Sequence, residues 1–379
     1  MQLLAGTSLG AACASKLMSL QGEYNLLQKS ASQTRWFRLV ADHLTFKDWI
    51  DVDAMYRSRA LDFPEIGHCM VPCLDLANHE PGEKTVAVYE KDDEGNALLL
   101  LREGKMVPVN GEVTITYGDD KGACEMLFSY GFLDGQQLDS ATTLFLSLGG
   151  VVGADLARAI MDSAKCAPGF KLVDIRDDQV NWIGDYVWFL SVNSDDGLGF
   201  EIARTTDGEE EVHAFFQGQE IAGGAAQLRS ILAATELWDV YRLRAITILQ
   251  QRIFDELQVL YAGQDAAETT PHGDGTEVRE TQYQQAMELR RLEFDLMNKA
   301  YEQFENEVSG CLCNIIALLP GVVYFFGGVR ARGLDRRATP SIIYSCSTRR
   351  CGLDGANKHA LYRKRSLQRH PSCSDTWRR

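Results

Sequence analysis

Three clusters in the stretch Met70–Leu133 combine residue types and spacing that could do chemistry. The first is Asp75-Leu-Ala-Asn78-His79, an acid, an amide and an imidazole in a loop. The second is Tyr117-Gly118, which closes the β-branched run Glu112-Val-Thr-Ile-Thr. That run reads as a strand, so the Tyr117 hydroxyl would sit where the chain leaves its sheet. The third is Tyr130-Gly131-Phe132, and Tyr89 lies on a short strand between the first two. Aromatic walls tolerate an amine as cation or neutral base. A narrow apolar channel lowers an amine pKa from its usual value of about 10.4 by desolvation. Alone, an Asn-His pair is most often a turn and a Tyr-Gly most often a strand end. Their order and joint presence give them weight.

Together these motifs resemble the C-terminal half of a SET-domain protein methyltransferase, of the branch that includes the plant Rubisco large-subunit lysine methyltransferase. The resemblance implies a protein-lysine N-methyltransferase that uses S-adenosyl-L-methionine and acts on a protein substrate bearing a lysine. Some members of the branch accept histidine instead. The work of such a site is to seat the cofactor, hold a neutral amine in line and exclude water. By resemblance Tyr117 is catalytic. Tyr89 and Tyr130 line the lysine channel, and Asp75 sits near the substrate lysine. Asn78, His79 and Phe132 hold the cofactor, and Arg59 pairs with its carboxylate through a charge-assisted contact.

One departure stands out. In the family a strand pair with a Gly-x-Gly motif precedes a helical insertion, and nothing before residue 60 matches it. The expectation is a chain that starts inside that insertion and lacks part of the cofactor site. A non-catalytic SET remnant that binds proteins is the alternative reading. Gly197-Leu-Gly199 follows the Asn-His motif and reads as a turn.

The elements that must position these residues follow from periodicity. Residues 1–62 read as the helical insertion: Met1–Ala31 with an N-cap at Gly6-Thr7-Ser8, a second piece from Trp36 to about Phe46, and a third over Trp49–Ala60. Residues 63–135 read as the C-terminal SET portion. It holds strands at Thr85–Tyr89 and Ala97–Leu101 about an Asp92–Asn96 turn, and a short helix from about Lys121 to Ser129. Residues 136–310 read as a mostly α-helical substrate-binding domain. Helices are expected at Ala154–Ala164 and Gln179–Val192, and a hairpin at Phe200–Arg204 and Val212–Gln217. Two long helices carry the stripes Ile246, Leu249, Ile253, Leu257, Leu260 and Phe294, Met297, Tyr301, Phe304, Val308, joined by a loop over Gly263–Thr276. The fold class expected is α+β.

The chain has 379 residues, 45% of them hydrophobic, enough for two cored domains. A net charge of −15 argues against general nucleic-acid binding and suits a basic protein partner. The ten cysteines show no pairing pattern and fit a reducing compartment, cytoplasmic or nuclear. Glu80, not a cysteine, follows His79, and Cys311-Leu-Cys313 lies far from Cys346 and Cys351, so no metal site is expected. No signal peptide or sustained membrane span is read, and a monomer is expected. His43, His68 and His213 have no evident role. Residues 311–379 differ from the rest: eleven Arg and two Lys stand against three Asp and no Glu. They read as a basic atypical tail, either disordered or a translated intron or frameshifted end.

Overall fold

A computed structural model describes residues 2–317 except 64, 135–142, 151, 176–178, 205–209, 274 and 276. Nearly all of 311–379, where the basic tail was read, lies outside the described residues.

Helix α1 (Ser8–Ala31) begins where the Thr7 hydroxyl accepts the Gly10 N–H at 3.1 Å, as the sequence predicts. Its buried side chains are Leu9, Leu20, Tyr24 and Ala31. Helix α2 (Phe37–His43) ends before Phe46, which instead opens α3 (Phe46–Arg59). The boundary is set by a capping box: the Thr45 hydroxyl accepts the Asp48 N–H, and the Asp48 carboxylate accepts the Thr45 N–H at 2.8 Å. Lys16 of α1 pairs with Asp53 of α3 at 2.8 Å, and Asp53 also holds Arg57 at 3.0 Å. These contacts aim the last residue of α3, Arg59, at the sheets that follow.

Strands β1 (Leu61–Phe63) and β2 (Gly67–Cys69) form an antiparallel pair. Strand β3 (Asn78–His79) is followed by the hairpin β4 (Ala87–Lys91) and β5 (Ala97–Leu101), in which Tyr89 faces Leu99. Strand β6 (Thr114–Ile115) then pairs parallel to β3, with Asn78 opposite Thr114 and His79 opposite Ile115. Only these two residues of the expected Glu112–Tyr117 strand are in the ladder, because β3 offers only two partners. A small core of Leu61, Phe63, Ala87 and Ile115 lies under these pieces, with Tyr89 and Tyr117 packed against it. Helix α4 (Ala123–Ser129) completes the region.

The rest builds a larger core. Strand β7 (Thr143–Ser147), helix α5 (Ala154–Ala164), β8 (Gly169–Ile175) and β9 (Gln179–Ile183) come first, with the strands ordered β7-β8-β9. The helix expected over Gln179–Val192 is therefore wrong. Its first part is β9, paired with β8 from Gln179 to Ile183, and only α6 (Val187–Leu190) is helical. Val180 is buried and its neighbours Gln179 and Asn181 are exposed, the alternation of a half-buried strand. A second sheet holds β10 (Leu198–Arg204), β11 (Glu210–Phe216) and β12 (Gln219–Glu220), the first two being the expected hairpin. Gly197, at φ 100°, closes the turn before β10, and Gly199 lies within the strand.

Helices α7 (Gly224–Ala233), α8 (Trp238–Ala262), α9 (Gln264–Glu268) and α10 (Glu280–Ala317) finish the described chain. The α9 turn sits where a loop was expected. Ile246, Leu249, Ile253 and Leu260 of α8 are buried, as are Met297 and Phe304 of α10, but Phe294 of the expected stripe is exposed. Leu289, Leu292, Leu296 and Ala300 take the inward face instead. Among the described residues no helix is long and apolar enough to cross a membrane.

Candidate active site

Tyr117 follows β6 at the point where that strand leaves its parallel partner. The local sequence makes this geometry. Thr114 and Ile115 are β-branched and buried, and Gly118 turns the chain at φ 125°. The turn is tied down by Asp119. Its carboxylate accepts the Thr116 hydroxyl and the Gly82 N–H, both at 2.9 Å, and these bonds, the Gly82 N–H first, hold it below the usual carboxylate range. The loop Glu80–Lys84 and the Tyr117 turn are thus one unit.

Tyr117 is held through its hydroxyl and its backbone by residues of β3 and just before it. Its hydroxyl donates to the Ala77 carbonyl at 2.9 Å, and its backbone N–H donates to His79 Nδ1 at 3.0 Å. The imidazole stacks on the Tyr117 ring at 5.1 Å between centroids. Tyr130, just after α4, lies 4.5 Å from the Tyr117 ring centroid and donates its hydroxyl to the Tyr117 carbonyl at 3.3 Å. Burial raises the phenol pKa of Tyr117, Tyr89 and Tyr130, and the nearby Arg59 partly opposes this at Tyr117. All three are therefore neutral hydroxyls over the physiological range. With its proton committed to Ala77, the Tyr117 oxygen presents acceptor lone pairs.

A pocket of about 130 Å³ opens beside these rings. Arg59, Asp75, Tyr89, Tyr117 and Tyr130 all line it. Arg59 donates to the Asp75 carbonyl at 3.1 Å and stands 3.8 Å from its carboxylate. Asn78, His79 and Phe132 do not line it. His79 and Phe132 pack at the back of the tyrosines, 6.0 Å apart by ring centroid, while the exposed Asn78 donates its side-chain amide to Glu112. The pocket also takes Asp62, His68 and Lys121, which sequence reading missed. Lys121 pairs with Glu125 at 2.8 Å; burial pulls its pKa down, but the Glu125 hydrogen bond and charge win and raise it. The four-residue spacing of Lys121, just before α4, and Glu125 within it was the available signal. His68 comes in through β2, where it faces Asp62. The structure also supplies Asp134, whose carboxylate lies 2.9 Å from His79 Nε2.

This fold is a SET fold, by comparison with solved structures. It matches the crystal structure of the SET domain of LSMT bound to methyllysine and AdoHcy with a TM-score of 0.53 and 17% identity, over 82% of this chain and 66% of that one. The same domain bound to lysine and AdoHcy gives 0.54 and 16%, with the same coverage. Among curated proteins the chain is similar to SET domain-containing protein 8 of Schizosaccharomyces pombe (strain 972 / ATCC 24843), 28% identical over 251 residues. That match takes in 65% of this chain, which spans about half (55%) of the relative's length. No family model matches the chain.

Proposed function

We propose that this chain carries the catalytic tyrosine, amine channel and part of the cofactor site of an S-adenosyl-L-methionine-dependent protein-lysine N-methyltransferase. The observation that carries the reading is the convergence of Tyr89, Tyr117, Tyr130, Asp75 and Arg59, from five separate segments, on one pocket. Of the residues expected to hold the cofactor, Arg59 lines this pocket, and its chemistry suits the cofactor's carboxylate. Arg59 engages Asp75 through Nη1, and a guanidinium has further N–H donors for a carboxylate. Phe132 offers an aromatic face beside His79. When bound, S-adenosyl-L-methionine would supply an activated methyl group.

The chain's own residues would do the rest. Three tyrosine rings surround an incoming lysine side chain with a wall that accepts both its charge states. Their bulk strips water from the amine, which favours its neutral, nucleophilic form. Asp75 offers a carboxylate to an arriving ammonium, with Arg59 beside it to limit the attraction. Tyr117, fixed by Ala77 and His79, holds its oxygen in one place, so no reorganisation is needed when charge shifts during transfer. The acidic surface suits a basic protein substrate.

The test is calorimetric titration with S-adenosyl-L-methionine, then methyl transfer to lysine-bearing proteins. Tyr117→Phe is expected to lower turnover about 100-fold with cofactor affinity nearly unchanged. Full turnover in that variant would remove Tyr117 from the reaction. Cofactor binding without transfer to any protein would favour a binding module.

A further inference from the structure

We propose that Asp134 is a positioning residue for Tyr117, acting through the imidazole of His79. The direction of one hydrogen bond fixes the state of the ring. The Tyr117 backbone N–H can only donate, and it points at His79 Nδ1 over 3.0 Å. Nδ1 must therefore hold a lone pair. The single proton of the neutral ring is then on Nε2, which donates to Asp134 Oδ2 at 2.9 Å.

The two side chains are well shielded: the His79 side chain is 3% exposed and that of Asp134 is 9% exposed. A buried ring nitrogen needs a partner, and each tautomer satisfies different neighbours. With the proton on Nε2, both the carboxylate and the Tyr117 N–H are satisfied. With the proton on Nδ1, two N–H groups would face each other, and the carboxylate would face a lone pair. Asp134 thus selects the ring form that can hold Tyr117. The ring also stacks on Tyr117 and approaches Phe132, so its tilt sets the back wall of the tyrosine cluster. The arrangement ties together three segments that are distant in sequence: the Asn-His loop, the end of β6, and the chain after Tyr-Gly-Phe. Asp134 lines no part of the pocket itself. Its effect on chemistry rests on the methyltransferase reading; its effect on His79 and Tyr117 does not.

The experiment is a ring-nitrogen correlation spectrum of the full chain labelled with ¹⁵N, with His79 assigned by its loss in His79→Asn. Wild type is expected to show one tautomer, protonated at Nε2. Asp134→Ala is expected to mix the tautomers and to speed hydrogen exchange at the Tyr117 amide about tenfold or more. Asp134→Asn keeps a carbonyl acceptor and is expected to restore the wild-type form. A wild-type ring protonated at Nδ1 would overturn the proposal, even if the alanine variant fails to fold. So would an alanine variant with the wild-type tautomer and amide protection, or an asparagine variant protonated at Nδ1. Methyl transfer from S-adenosyl-L-methionine is measured alongside, with kcat expected to fall in Asp134→Ala at unchanged KM for the cofactor. Transfer absent from wild type counts against the enzyme reading and leaves the tautomer result to decide the role of Asp134.

Discussion

At the scale of single residues, Arg59 is the test of whether this pocket takes a carboxylate. It ends α3, lines the pocket and touches Asp75 through one nitrogen. Replacing it with methionine keeps an unbranched apolar stem and removes the charge and the N–H donors. Arg59→Met is expected to weaken S-adenosyl-L-methionine binding about 10- to 100-fold, the range of a charge-assisted hydrogen bond. Calorimetry on a variant with an unchanged melting curve would check it, and wild-type affinity would place the cofactor carboxylate elsewhere. Of the residues that stand in short motifs of unusual types, Asp75, Tyr117 and Tyr130 line the pocket, and Asn78, His79 and Phe132 do not. Asp134 and His68 were not legible. Each is one polar residue with no local pattern; His68 enters the pocket on β2, and the importance of Asp134 comes from a partner that only the fold brings near. That partner, His79, lies 55 positions before Asp134.

At the scale of elements, the junction of α1 and α10 carries a titrating group. Glu293 of α10 is buried, and its carboxylate accepts the Ser8 N–H at 3.1 Å and the Ser8 hydroxyl. Burial pushes its pKa up to about 7 from 4.5; the Ser8 bonds and Arg290 oppose this, and Glu256 adds to it. Between those two values the folded protein keeps a proton that the unfolded chain has released. Stability must then fall as pH rises from about 4.5 to about 7, with the full penalty, roughly 3 kcal/mol, present above that window and absent below it. Glu293→Gln keeps an oxygen for the Ser8 N–H and removes the charge. Its denaturation midpoint is expected to exceed that of wild type above pH 7 and to converge on it near pH 4.5; superimposed profiles would show that Glu293 is not the titrating group. The partners in this junction were invisible to periodicity, although α8 and α10 were legible from their stripes. The miss at β9 has a similar cause. Residues 179–192 are rich in apolar types, so a helical period can be fitted. What decides for a strand is the ladder offered by β8, including the pairing of Leu172 with Trp182.

At the scale of the whole molecule, the first ten residues are stitched to segments more than 250 positions away. The buried Arg290 guanidinium donates to the carbonyl of Leu260 at 2.8 Å and to that of Ala5 at 2.6 Å. This closure works only because backbone can approach backbone. Gly6 stands at φ 80°, and a Cβ on it would collide with the Val259 carbonyl oxygen. A Cβ on Gly263 would collide with the Ala5 carbonyl oxygen in the same seam. Neither glycine could be singled out among the 33 in the sequence, because its requirement is set by a chain segment at the other end of the protein. Gly22 is the internal control: it lies mid-way along α1, is exposed, and has open space where a Cβ would go. Gly6→Ala is expected to lower stability by about 2–3 kcal/mol, from left-handed backbone and overpacking together. Gly22→Ala is expected to raise it by about 0.5–1 kcal/mol through helix propensity. Chemical denaturation of the two variants reads both at once. Opposite signs follow if the amino-terminal turn is locked against α8 as part of one cooperative unit. A harmless Gly6→Ala would mean that the turn can open from α8 without disturbing the core, and Arg290 would then hold nothing that the fold needs.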